Sequence, residues 1–379
     1  MQKKLIALAI AAAASGAAFA QTNVQIYGIA DVGYVGVDRD HFKFQNNINS
    51  GVLSTSRIGF KGAEDLGNGL KAIFTLEYGL LLDQNTGVGA GGATARQQFV
   101  GLTGGFGTVV AGRLQTAGLD YTVAGSALGG STTIGAINLV GNDGFPLINA
   151  ASRANNAVAY ISPSFGGVTV AFNHARMTES AASDDLSDQT ANLLAVNYDG
   201  GPLTAGLVYG KLSNGKSAGT DATIGWDPTV PGAVLVPGTD PAKTKNSGST
   251  EWGVRAGYDF GVVKLQAAYQ QAKLDRNLAD TDRDVKNKRW VVSATVPVTA
   301  KIAVIGEYAQ AKYQLDRDES DDKNKAFTLA ATYSLSKRTT AYAAFARQTY
   351  NNKEYDAANK FDAERLNTNY YGVGLRHAF

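Results

Sequence analysis

Five cations stand out by type and position: Arg57, Lys61, Arg96, Arg113 and Arg153. A guanidinium stays charged at any relevant pH, so these side chains supply a fixed positive field rather than a proton relay. Three carboxylates belong with them, Glu77, Asp120 and Asp143. Lining a narrow aqueous path, such a set would concentrate anions and sort solutes by charge as well as size. The same arginines could instead satisfy neighbouring carboxylates such as Glu77 and Asp31, a purely structural use. Both readings stand at this level.

Catalytic chemistry is not legible. The only histidines are His41, His174 and His377, and no Ser/His/Asp constellation converges on any of them. They are too scattered for a metal centre. There is no G-x-S-x-G, no phosphate-cradling loop and no dinucleotide fingerprint; the glycine runs follow turns instead. The chain has no cysteine, which excludes disulfides and thiolate sites. No cofactor, no metal and no enzyme activity are expected.

The elements that must position the cations alternate with period two. Leu70, Ala72, Phe74, Leu76 and Tyr78 share a face opposite Lys71, Thr75 and Glu77. Trp252, Val254, Ala256, Tyr258 and Phe260 oppose Glu251, Arg255 and Asp259, and Phe327, Leu329, Ala331, Tyr333 and Leu335 oppose Thr328, Thr332 and Ser334. The final segment places Tyr371, Val373, Leu375 and Phe379 together and ends on that aromatic. Periodicity alone does not separate a soluble sandwich from a membrane barrel. Tyr and Trp near the segment ends do, because amphipathic rings favour the membrane–water interface. A strand of about 9–11 residues with an apolar outward face spans an outer membrane.

The connections alternate in length. Short ones carry turn residues, as in Gly67-Asn68-Gly69, Gly104-Gly105-Phe106-Gly107 and Asp199-Gly200-Gly201-Pro202. Longer ones lie near 37–50, 83–94, 115–154, 176–189, 213–248, 274–286, 314–324 and 351–366. Short turns on one side and long loops on the other are the asymmetry of outer-membrane barrels. The pattern predicts an all-β fold, a 16-stranded antiparallel transmembrane β-barrel, wide enough for a water-filled lumen.

The third long loop, about 115–154, is dominated by small and apolar residues, with Asp120 and Asp143 as its only acids. A loop so long and apolar is expected to fold inward and narrow the lumen. Arg57 and Lys61 alternate opposite Ser56, Ile58, Phe60 and Gly62, so both should face water. Arg96 opens the fourth strand, Arg113 ends the fifth and Arg153 precedes the sixth. The segment 213–248, with its four prolines, reads as an ordinary exposed loop.

At the N-terminus Lys3 and Lys4 precede an apolar run from Leu5 to Ala14, and Ala18-Phe19-Ala20 supplies a cleavage site. Residues 1–20 are therefore expected to be a cleaved signal peptide, leaving 21–379 as the barrel. Removing Lys3 and Lys4 takes Lys+Arg from 35 to 33, equal to the 33 Asp+Glu. A neutral chain of this kind predicts no nucleic-acid partner.

These segments together resemble the general porins of Gram-negative outer membranes, in the branch typical of β-proteobacteria. The resemblance rests on Val24-Gln25-Ile26-Tyr27-Gly28-Ile29-Ala30-Asp31, on Ser56-Arg57-Ile58-Gly59-Phe60-Lys61-Gly62-Ala63-Glu64-Asp65-Leu66-Gly67 and on Phe99-Val100-Gly101-Leu102. Further matches are Gly112-Arg113, Arg153-Ala154-Asn155-Asn156, Ser162-Pro163-Ser164-Phe165-Gly166-Gly167, Leu335-Ser336-Lys337-Arg338-Thr339 and the end Gly374-Leu375-Arg376-His377-Ala378-Phe379. It implies a homotrimer in outer-membrane lipid, an inward third loop and passive diffusion of small hydrophilic solutes. It also implies an anion bias from a cluster that maps onto Arg57, Arg96 and Arg153. Some relatives carry two adjacent basic residues where this chain has Arg96-Gln97, which weakens the expected bias. Phe379 matches the family's signal to the outer-membrane assembly machinery. A solute-specific channel and a structural or adhesive surface barrel are the remaining alternatives.

Overall fold

The first and last described strands are hydrogen-bonded neighbours, and that pairing closes the sheet on itself. The computed structural model describes residues 23–84, 94–141, 152–178, 189–214, 222–226, 233–237, 247–275, 277–278, 281–282, 285–315, 322–350 and 366–379. The signal-peptide expectation, Asp143 and several outer connections fall outside these residues.

Seventeen strands form the main sheet. They are β1 (Asn23–Arg39), β2 (Gln45–Ser50), β3 (Arg57–Gly67), β4 (Leu70–Gly79), β5 (Ala95–Gly104), β6 (Gly107–Gln115), β7 (Arg153–Ile161), β8 (Val168–Thr178), β9 (Gln189–Gly200) and β10 (Leu203–Asn214). Two small hairpins follow or interrupt: β11 (Ala222–Trp226) with β12 (Ala233–Pro237), and β15 (Asn277–Leu278) with β16 (Thr281–Asp282). The wall continues through β13 (Ser247–Asp259), β14 (Lys264–Asp275), β17 (Val285–Pro297), β18 (Ile302–Leu315), β19 (Asp322–Ser334), β20 (Thr339–Tyr350) and β21 (Leu366–Ala378). Each wall strand pairs antiparallel with its neighbours, and β21 returns to β1 with Ile29 opposite Ala378 and Arg39 opposite Thr368.

Seventeen strands make sixteen staves, because β2 and β3 are two halves of one. The upper part of β1, Val32 to Val37, pairs with β2, while Asn23 to Ile29 pair with β3. The residues between the halves, 51–56, leave the ladder. The loop expected over 37–50 is accordingly much shorter, since β1 runs to Arg39 and β2 begins at Gln45. The Gln45-Asn46-Asn47-Ile48-Asn49-Ser50 run shows no apolar alternation, so only its ladder partner on β1 makes it a strand. The segment 213–248, expected to be a plain loop, contains the β11–β12 hairpin.

The distribution of side chains inverts that of a soluble protein. Val100, Val373 and Leu329 are exposed at 63%, 60% and 49%, whereas Asp31, Glu77, Arg289, Glu307 and Thr328 are buried. A bilayer requires this arrangement: the ladder satisfies every backbone group and the apolar face meets lipid. On the apolar face the aromatics join across staves. Tyr209 is opposite Trp252, Trp252 lies 5.4 Å from Tyr269, Tyr269 is opposite Trp290, and Trp290 lies 5.4 Å from Tyr308. This belt is what an interface selects. At the other edge, turns are tight. Gly67, Asn68 and Gly69 all have positive φ, which two glycines and an asparagine adopt without a steric penalty.

Candidate functional site

The charged residues gather on the run of staves from β3 to β7. Register fixes their direction. Tyr27 is opposite Gly59, Ile29 is opposite Arg57, and Gly59 is in turn opposite Glu77, so all share the polar face. Gly59 gives the Tyr27 ring its seat, since a Cβ there would lie 2.6 Å from the Tyr27 hydroxyl oxygen. Tyr27 then donates to Glu77 Oε2 at 3.1 Å, and Lys61 Nζ stands 5.2 Å from its ring centroid.

Arg96 reaches this face through an irregularity. Glu77 pairs with Gln97 and Tyr78 with Ala95, so Arg96 is the extra residue of a β-bulge. Strict alternation from Gln97 would send Arg96 to lipid; the bulge re-aims it. Its Nε donates to Glu77 Oε1 at 2.7 Å in a buried ion pair.

Arg153 opens β7 opposite Gln115 and has a buried Nε with no hydrogen-bond partner. The Arg57 guanidinium makes no hydrogen bond among the described residues. It lies in the electrostatic field of Arg96, Glu77 and Arg376. Arg153 shares that neighbourhood, sensing Arg96, Glu77, Arg113 and Arg57. Arg57, Arg96, Arg153 and Arg376 against Glu77 and Asp31 leave this wall positive. Arg113 is a different case. It is opposite Gln98, on the parity of exposed Val100, and is braced by Ala95 O at 2.7 Å and Asn155 Oδ1 at 2.5 Å.

The segment after β6 lies against the polar face of the other staves. Two helices form in it, α1 (Ala117–Gly125) and α2 (Ala136–Leu139). The Ala117 N–H at the start of α1 donates to Asn173 Oδ1 at 3.0 Å. Tyr121 stands over Gly253, where a Cβ would lie 2.6 Å from its ring, and its hydroxyl is 2.8 and 2.6 Å from the carbonyls of Val254 and Tyr269. Between the helices, Glu307 accepts from the N–H groups of Leu128 at 2.6 Å and Ala136 at 3.1 Å. Thr328 donates to Ile134 O at 2.6 Å, and Gln348 to Leu139 O at 2.8 Å. Ser131 reaches back to Val52 O at 2.6 Å, in the break between β2 and β3.

Apolar packing completes this contact. Ile134, Ile137, Leu139 and Val140 are buried against Ala268, Ala309, Ala311, Ala326 and Ala346 of the wall. Alanine on the wall leaves the volume that the segment's larger side chains fill.

Asp120, on α1, lies between the two regions. It accepts from Gln115 Nε2 at 2.5 Å and senses Arg255 and Arg153. Burial pushes its carboxyl up to about 6, against the pull of Gln115 and the two arginines.

Of the residues singled out from sequence, Arg57, Arg96, Arg153 and Glu77 come together, with Lys61 beside Tyr27. Arg113 is at the edge of the group and Asp120 faces it. Sequence reading passed over Asp31 as a tether and over Arg255, Glu307 and Arg376. Alternation marks all four as inward, but only their partners across the ring show what they do.

The fold and site define a transmembrane barrel with one strongly cationic lumen wall. The profile of the Gram-negative porin family matches residues 7–353. Outer membrane porin protein 32 of Delftia acidovorans is 33% identical over 317 residues, covering 82% of this chain and 80% of that protein. An outer membrane porin protein of Bordetella pertussis is 28% identical over 333 residues, covering 81% of this chain and 76% of that protein. Among solved structures, an anion-selective porin from Comamonas acidovorans superposes with a TM-score of 0.72 at 26% identity, covering 95% of this chain and all of that one. The chain belongs to the Gram-negative porin family, and it is an outer-membrane protein that crosses the bilayer with sixteen strands.

Proposed function

We propose that the chain is a passive diffusion channel in which the segment 115–154 folds into the lumen and forms the constriction. Small hydrophilic solutes pass by size, and Arg57, Arg96 and Arg153, with Lys61 and Arg113 nearby, give anions the advantage. Glu77, Asp120 and Asp143 temper that field. The observation that carries this reading is the attachment of the segment to the polar face of β18, β19 and β20 through Glu307, Thr328 and Gln348, with the arginine wall left facing it. The anion-selective description of a solved relative supports the sign of the bias.

Around this function we place export by a signal peptide over 1–20, assembly as a homotrimer as the family implies, and recognition of Phe379 by the assembly machinery. The test is the reversal potential of purified protein in a planar bilayer under a KCl gradient, alongside a variant shortened within 120–145. Stepwise conductance with an anion-side potential, and a larger conductance after shortening, are expected. A cation-side potential would hand selectivity to the carboxylates. Unchanged conductance after shortening would remove the segment from the constriction.

A further inference from the structure

Arg376 lies on β21 directly opposite Asp31 of β1, and Arg57 lies on β3 opposite Ile29 of the same strand. Directly opposed residues share a face, so Arg376 and Arg57 flank β1 from its two sides. Asp31 is fully buried, and its carboxylate is occupied by other donors. Oδ2 accepts from Leu53 N at 3.1 Å and Ser54 N at 2.7 Å, while Oδ1 accepts from Tyr342 at 2.6 Å. Among the described residues no contact ion pair joins Asp31 to Arg376. The Arg376 Nε donates instead to the Ser54 hydroxyl at 2.8 Å, which orients the guanidinium without cancelling its charge. Ser54 itself is held by the Asp31 carboxylate, so the break between β2 and β3 serves as the bracket.

We propose that Arg376, oriented by Ser54 and Asp31, is a selectivity-determining residue of the channel, acting with Arg57 and Arg153. The proposal rests on the anion-biased reading above. It reorders the cations by what holds them. The charge of Arg96 is paired with Glu77, and Arg113 is braced at Ala95 and Asn155, whereas among the described residues neither Arg57 nor Arg376 forms a contact ion pair, although Arg376 lies in the field of Asp31.

The test compares reversal potentials of Arg57→Gln, Arg376→Gln and Arg113→Gln channels under a KCl gradient. A unit charge several ångströms from the path in water changes anion occupancy roughly two-fold, so Arg376→Gln should lower the chloride-to-potassium permeability ratio by about that factor. Arg113→Gln should change it less, and Arg376→Lys should preserve it. Because the chain has no cysteine, Arg376→Cys offers a second measurement in channels already folded. Coupling that thiol to a cationic methanethiosulfonate should restore anion preference, and an anionic one should lower it further. An anion-selective wild type that Arg57→Gln alters, while neither Arg376→Gln nor the charged labels do, overturns this inference alone. A wild type without anion preference that Arg57→Gln leaves unchanged overturns the reading beneath it as well.

Discussion

The two sides of the lumen are built from the same alternation and end in opposite chemistry. Over β18 to β20, the inward residues Glu307, Thr328 and Gln348 each bond to the backbone of the segment after β6, and alanines beneath it exclude water. Over β3 to β7, the inward residues include Arg57, Arg96 and Arg153, and among the described residues only Arg96 has a contact ion pair, with Glu77. One side is a packed joint and the other a charged surface. An inward polar residue is thus neither structural nor functional by its position; what decides is whether a protein group has already taken its hydrogen bonds.

That contrast can be tested most severely at Glu307. Glu307→Ala removes the acceptor for two loop N–H groups, each costing roughly 1–3 kcal/mol if left unsatisfied. Single-channel conductance should rise and become noisier. A quiet channel of unchanged conductance would show that apolar packing alone holds the segment. On the opposite wall, Arg57→Ala with Arg153→Ala should move the reversal potential toward cations while leaving conductance close to wild type. An unchanged potential would remove both from the filter and make the two sides alike.

A smaller effect separates bracing from field within the arginines. Arg113→Ala should cost about 1 kcal/mol in denaturant stability for its hydrogen bonds, with little change of selectivity. A shift as large as that of Arg57→Ala would break the distinction. The smallest effect concerns Asp120, whose carboxyl burial lifts to about 6. As pH falls through that value the group gains a proton and loses its negative charge, so anion preference should increase slightly. Asp120→Asn should flatten the dependence; a profile identical to wild type would assign it to another group.

Sequence sufficed for most of the staves because lipid imposes period two on them, and Val100, Leu329 and Val373 obey it. It also located the arginines and the long apolar segment. It misjudged the β2 stave, where asparagines carry no hydrophobic signal and the ladder to β1 supplies the order. Arg96 shows the other limit. Its inward direction comes from a bulge between Glu77 and Tyr78, and a one-residue irregularity is invisible to a pattern that assumes none. Glu307 and Arg376 were overlooked for a related reason: their partners, Leu128 and Ser54, are distant in the chain, and only closure of the ring brings them together.

The joint between β1 and β21 has a consequence for what an incomplete barrel exposes. Phe379 exchanges both main-chain hydrogen bonds with Gly28, at 3.1 Å each, and its ring covers that glycine on the lipid side. Two strands far apart in the sequence therefore complete each other's ladder. Unpaired, each presents a bare edge able to pair with any other chain, and contacts this distant in sequence form slowly. Loss of either strand leaves the other's edge open, so a chain truncated at this joint is a liability to its neighbours rather than a smaller pore.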